Sequence, residues 1–106
     1  VTAEIHHIAI QDDWEMSRGF GEYVVSTRGT HFEESGFIHA TTADRVNDVV
    51  ASRYADLDLP LLDITLSIEA LEAAGIAVDW VDGAPRIVGE LPMSAEVVVS
   101  ERVIPR

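Results

Sequence analysis

Two histidines carry the most suggestive chemistry in the chain. His7 lies in Ile5-His6-His7-Ile8-Ala9 and His39 in Gly36-Phe37-Ile38-His39-Ala40. Each has apolar neighbours, among which an imidazole needs a specific hydrogen-bond partner. Two roles are open to such a ring: satisfied by a backbone carbonyl it is structural, and facing a cleft with a perturbed pKa it marks a site. Thr41 and Thr42 follow His39 directly. At a helix start their hydroxyls either cap the helix or join its free amides in holding a sugar or phosphate. Arg86 sits among apolar residues ahead of Gly89-Glu90-Leu91, where it either clamps a carboxylate or phosphate bidentately or pairs with one of the 19 acidic residues. Trp14, Tyr54 and Trp80 offer faces for stacking a base, or bulk for a core. His6 and His31 are weaker candidates, the latter in a polar stretch.

Several chemistries are excluded by what the chain lacks. It has no cysteine, which removes disulfides, thiolate nucleophiles and cysteine-based metal centres. It has no lysine, which removes a phosphate-binding P-loop, Schiff-base catalysis and a lysine base. None of the four histidines has the i, i+4 helical spacing of metal ligands, and adjacent His6 and His7 point to opposite faces of one strand. No metal site is expected. No Gly-x-Ser-x-Gly elbow is present, and Gly19-Phe20-Gly21 lacks the third glycine of a dinucleotide fingerprint and follows a helical pattern rather than a strand. Asp12-Asp13 and Glu33-Glu34 read as solvated surface.

The 106 residues fit one domain, 1–106, with 47% hydrophobic content to fill a single core. No apolar run approaches the roughly 20 residues that span a bilayer, and the first residues show no signal-peptide pattern. A cytoplasmic protein without a membrane partner is expected. Its net charge of −12 repels nucleic-acid backbones, so nucleic acid is not an expected partner. Acidity alone supports a protein-interaction partner, and nothing here fixes an oligomeric state.

The candidate residues must be positioned by short elements. Residues 4–10 alternate as a first strand, and Asp12 with Glu15 has capping-box spacing for a helix carrying Trp14 that ends at Gly19 or Gly21. Tyr23 to Ser26 is a brief extended piece, Arg28 to Ser35 an exposed loop, and Gly36 to Ala40 a second strand with Phe37 and His39 on one face. Thr41 or Thr42 opens a helix to about Tyr54, striped by Val46, Val49, Val50 and Tyr54. Leu61 to Leu66 is a strand, Ile68 to Ala74 a short helix closed by Gly75, and residues 76–81 and 86–88 a hairpin about Asp82-Gly83. Glu96 to Ile104 is valine-rich enough to be expected at the centre of the sheet. The fold class is α+β, a compact, mixed, mainly antiparallel sheet with two or three short helices.

Ile5-His6-His7-Ile8-Ala9, Asp13-Trp14-Glu15, Gly21-Glu22-Tyr23, Gly36-Phe37-Ile38-His39-Ala40-Thr41 and Gly89-Glu90-Leu91-Pro92 together resemble the small bacterial proteins grouped as domain of unknown function 952. The resemblance covers nearly the whole chain. It implies an ADP-ribosyltransferase-like fold, shared with RNA 2′-phosphotransferases, that binds NAD or ADP-ribose in a cleft. His7 then matches a strand-one histidine that holds a ribose, and His39 and Thr41 match the motif lining the same cleft. The implied activity is transfer of ADP-ribose or a phosphate from a nucleotide, NAD being a substrate rather than a cofactor. Arg86 would hold the pyrophosphate, with Thr42 and Trp80 beside the nucleotide. Glu90 would face the oxocarbenium-like sugar as the glycosidic bond breaks. Departures from the family pattern at three positions bear on this. Arg86 stands where the family has histidine and Glu90 where it has proline, and His6 takes a position that is tyrosine in the family. A nucleotide-binding module without chemistry is the alternative.

Overall fold

Alternation builds the first strand, with Ile5, His7 and Ala9 on one side and His6, Ile8 and Ile10 on the other. In the computed structural model, which describes residues 4–19, 21–23, 25–27, 30–31 and 36–105, β1 spans Glu4–Ile10. It pairs antiparallel with β6 (Leu61–Ser67), and β10 (Val98–Val103) flanks β6 on the other side. β6, not β10, is therefore the central strand. Six residues of β6 are buried, whereas Val99 and Val103 of β10 are 49% and 59% exposed. The expectation for β10 failed because valine content reports fitness for a pleated surface, not position in the sheet.

Each face of this sheet covers a different core. Ile5, Ala9, Leu62, Ile64 and Leu66 pack with Trp14, Tyr23, Ile38, Ile87 and Leu91 in the larger one. On the opposite face Ile8, Leu61 and Ile104 meet Val46 and Tyr54, with Val49 and Val50 partly buried beside them. The expected valine stripe thus lies on α2 (Val46–Arg53), which follows a short 3-10 turn, Ala43–Arg45. Thr42 precedes that turn but makes no side-chain cap.

α1 (Gln11–Arg18) follows β1 without a break and buries Trp14. Ile10, in an extended conformation, occupies its N-cap position with no side-chain cap bond, so the expected Asp12–Glu15 capping box does not form. The chain enters the helix ahead of Asp12, which leaves Asp12 and Asp13 inside the first turn to complement the helix dipole. α3 (Ile68–Ala73) is capped by the Ser67 hydroxyl, which accepts from the Ala70 amide at 3.2 Å. Gly75 then turns the chain at φ +83°.

The remaining strands are short. β2 (Glu22–Tyr23) pairs with β9 (Leu91–Pro92), and β3 (Val25–Thr27) with β4 (Thr30–His31). Thr30 and His31 thus form a strand inside the segment expected as a loop, while residues 28–29 and 32–35 lie outside the described part. β5 (Ile38–His39) pairs with β8 (Ala84–Val88), which pairs with β7 (Ala77–Val81). Asp82 and Gly83, at φ 52° and 80°, join β7 to β8 in the two-residue turn whose twist suits a hairpin. Every named pairing among the described strands is antiparallel. Among the described residues no helix is long and apolar enough to cross a membrane.

Candidate functional site

The face of β1 that carries His6 and Ile8 looks toward α2 across a cavity of about 440 Å³. β5 and the residues after it contribute His39 and Thr41 to its lining, and β8 contributes Arg86. From the helical side come Arg45, Asp48, Ser52, Arg53 and Tyr54. Offsets of 3, 7 and 8 from Arg45 put Asp48, Ser52 and Arg53 on one helical face. Backbone bonds join two of these walls: the His6 amide donates to the Thr41 carbonyl at 2.8 Å, and the Thr41 amide to the His6 carbonyl at 2.7 Å.

Arg86 lies opposite His39 in the β5–β8 register. Its guanidinium carbon sits 4.2 Å from the centroid of Phe37, a cation–π contact, and Phe37 meets the His39 ring edge-on at 4.8 Å. Phe37 stands in the bend one residue ahead of β5, two positions from His39. Burial holds the His39 imidazole below its ordinary pKa, and the nearby Arg53 and Arg86 charges add to the effect. The ring is therefore neutral at neutral pH, a hydrogen-bonding group between cations.

His6 is fixed differently. Its Nδ1 lies 2.8 Å from Oδ1 of Asp63, a nearly buried carboxylate whose Oδ2 accepts from Arg102 at 2.9 Å. β6 runs between β1 and β10, so one aspartate on the central strand reaches a side chain from each neighbour.

His7 faces the opposite way, into the larger core, and does not line the cavity. Its Nδ1–H donates to the His39 carbonyl, and its Nε2 accepts from the Tyr23 hydroxyl at 2.9 Å. Burial pushes its pKa down to about 4; the bond to the His39 carbonyl opposes that effect, and a proton on the His39 ring would add to it. The ring is a neutral, fully bonded brace behind β5. It positions the strand that presents His39.

The structure thus brings His39, Thr41 and Arg86 together at one cavity and leaves four other candidates outside it. Thr42 borders the 3-10 turn, where its hydroxyl bonds the Asp44 carboxylate and lowers that group's pKa. Trp80 is 52% exposed on β7, and Glu90 is exposed between β8 and β9. His7 is the fourth. The side chain of His31 lies outside the described part. Arg45 and Arg53 lie off the apolar stripe that marks the helix in the sequence, so nothing in that stripe points to them. His6 is inconspicuous in sequence because its partner Asp63 is 57 positions away. Polar residues at offsets 3, 7 and 8 from Arg45 were the signal available for the helical wall. Among the described residues no three histidines or carboxylates are grouped to hold a metal ion.

The family model for a protein of unknown function (DUF952) matches residues 8–99, and the chain belongs to that family. In three dimensions it is similar to the crystal structure of protein CC0527 from Caulobacter crescentus, with a TM-score of 0.76 and 18% identity over 97% of this chain and 87% of that one. A double mutant of CC0527 matches with a TM-score of 0.77 at the same identity and coverage. At that identity the likeness is one of fold. No curated protein matches the sequence.

Proposed function

We propose that the cavity binds a phosphorylated small molecule of the nucleotide class, with NAD and ADP-ribose as the compounds to which the family resemblance points. One observation carries this reading. The chain has a net charge of −12 and only seven cationic side chains, all arginine, yet three of them line this single cavity. Such a concentration of guanidinium groups in an acidic protein is suited to anionic oxygens, which they bind with planar, bidentate geometry. A volume of about 440 Å³ falls within the range of roughly 300–1,000 Å³ usual for small-molecule sites. The neutral His39 ring and the Thr41 hydroxyl supply hydrogen bonds suited to ribose. Arg86, braced on Phe37, is the natural partner of a diphosphate. Transfer of ADP-ribose with Glu90 opposite the sugar gains no support from the lining, which Glu90 does not join.

Thermal stability followed during titration with NAD, ADP-ribose and AMP tests the reading. A ligand at about 100 times its Kd adds roughly 2.7 kcal/mol. The stabilisation should weaken with salt and disappear in Arg53→Ala and Arg86→Ala. A melting temperature unmoved by all three nucleotides refutes it.

A further inference from the structure

The alternation that turns His7 into the core turns His6 toward the cavity, and the bond to Asp63 settles which of its nitrogens carries the proton. A carboxylate only accepts, so Nδ1 bears the hydrogen, and in the neutral ring the lone pair is on Nε2. Among the described residues Nε2 meets no hydrogen-bond partner, and the side chain is 15% exposed on the cavity lining. Asp63 is in turn held by Arg102 through its second oxygen, so the carboxylate cannot swing away without breaking two charge-assisted bonds. A lone pair presented by a ring whose far nitrogen is anchored on a buried carboxylate is the arrangement of a general base, not of a packing residue.

We propose that His6, positioned by Asp63, is the proton-transfer residue of a hydrolytic reaction in this cavity that cleaves a phosphodiester of the bound nucleotide. The proposal rests on the anionic-ligand reading above. Water attacks phosphorus, and its proton passes to Nε2 as the new O–P bond forms. The P–O bond to the leaving alcohol breaks, and the departing oxygen takes that proton from Nε2. A phosphomonoester and an alcohol result, with the dyad restored and no oxidant or reductant involved. A diester fits because one ring both takes and returns the proton, and an alkoxide leaving group needs it back. Arg45, Arg53 and Arg86 are placed to stabilise the charge that grows on the phosphoryl oxygens.

The test uses adenosine 2′,3′-cyclic phosphate as substrate and AMP as a binding probe, on the wild type and on His6→Gln and Asp63→Asn. The wild type should release AMP from the cyclic diester. His6→Gln should lose about 100-fold or more in kcat, as removal of a general base does, while AMP still raises its melting temperature. Asp63→Asn should lower kcat with KM nearly kept and displace the acidic limb of the pH–rate profile, a readout that loss of packing alone would not move. A wild type that binds AMP yet leaves the diester intact overturns the proposal and leaves the anion site standing. So does a His6→Gln variant with undiminished rate. A wild type that binds none of AMP, NAD and ADP-ribose overturns both readings.

Discussion

His7 makes the stability of this protein depend on pH in a calculable way. The buried ring titrates at about 4 in the folded chain, against 6.5 for the unperturbed group. Between those values the unfolded chain binds a proton that the folded chain refuses, so stability rises with pH across the window and is lost as pH falls through it. The gap, 6.5 less about 4, is about 2.5 units; at 1.36 kcal/mol per unit this is about 3 kcal/mol. For a domain whose total stability is of order 5–15 kcal/mol that is a large share. The perturbation to make is His7→Gln, whose amide can still donate to the His39 carbonyl and accept from Tyr23 but does not titrate. Urea unfolding at half-unit steps from pH 7 to pH 4 should show the wild type losing about 3 kcal/mol more than the variant. His39 contributes with the same sign in both proteins, as do the carboxylates at the acid end, so they cancel in the difference. Parallel stability curves for the two proteins would refute the assignment of His7 as a buried neutral brace.

Two further predictions concern the same scaffold. Tyr23→Phe leaves His7 Nε2 without its donor in the core and should cost about 1–3 kcal/mol in chemical denaturation, while nucleotide affinity holds if His7 acts only as a brace. Gly75→Ala meets no atom within 4 Å of the new Cβ, so its cost is that of the positive φ alone, about 1–2 kcal/mol, read as a lower urea midpoint with an unchanged denaturant slope.

Local pattern made much of the fold legible. Alternation from Glu4 to Ile10 fixed β1, Gly75 marked the end of α3, and Asp82-Gly83 marked the β7–β8 hairpin, because each signal is contained in a few consecutive residues. The order of strands was not legible in this way. Nothing local distinguishes Val98–Val103 from a central strand, and Leu61–Ser67 takes that place because both of its edges are paired, by the distant strands β1 and β10. The site divides along the same line. His39, Thr41 and Arg86 stand out by their neighbours in sequence, while His6 is defined by Asp63 from another strand. Arg45 and Arg53 matter because a helix packs their face against β1. Glu90 and Trp80 drew notice by residue type, and tertiary packing put both elsewhere.

The adjacent histidines of β1 also guard the site against faulty assembly. Sliding β1 by one position along β6 would exchange the two rings, driving the dyad histidine among leucines and isoleucines and pulling the brace out of reach of Tyr23 and the His39 carbonyl. Those two bonds form only in the native register, so the core tests the alignment of the strand that carries the cavity histidine. A misaligned chain would forfeit its core bonds and its cavity together, and a stable but miswired site is thereby avoided.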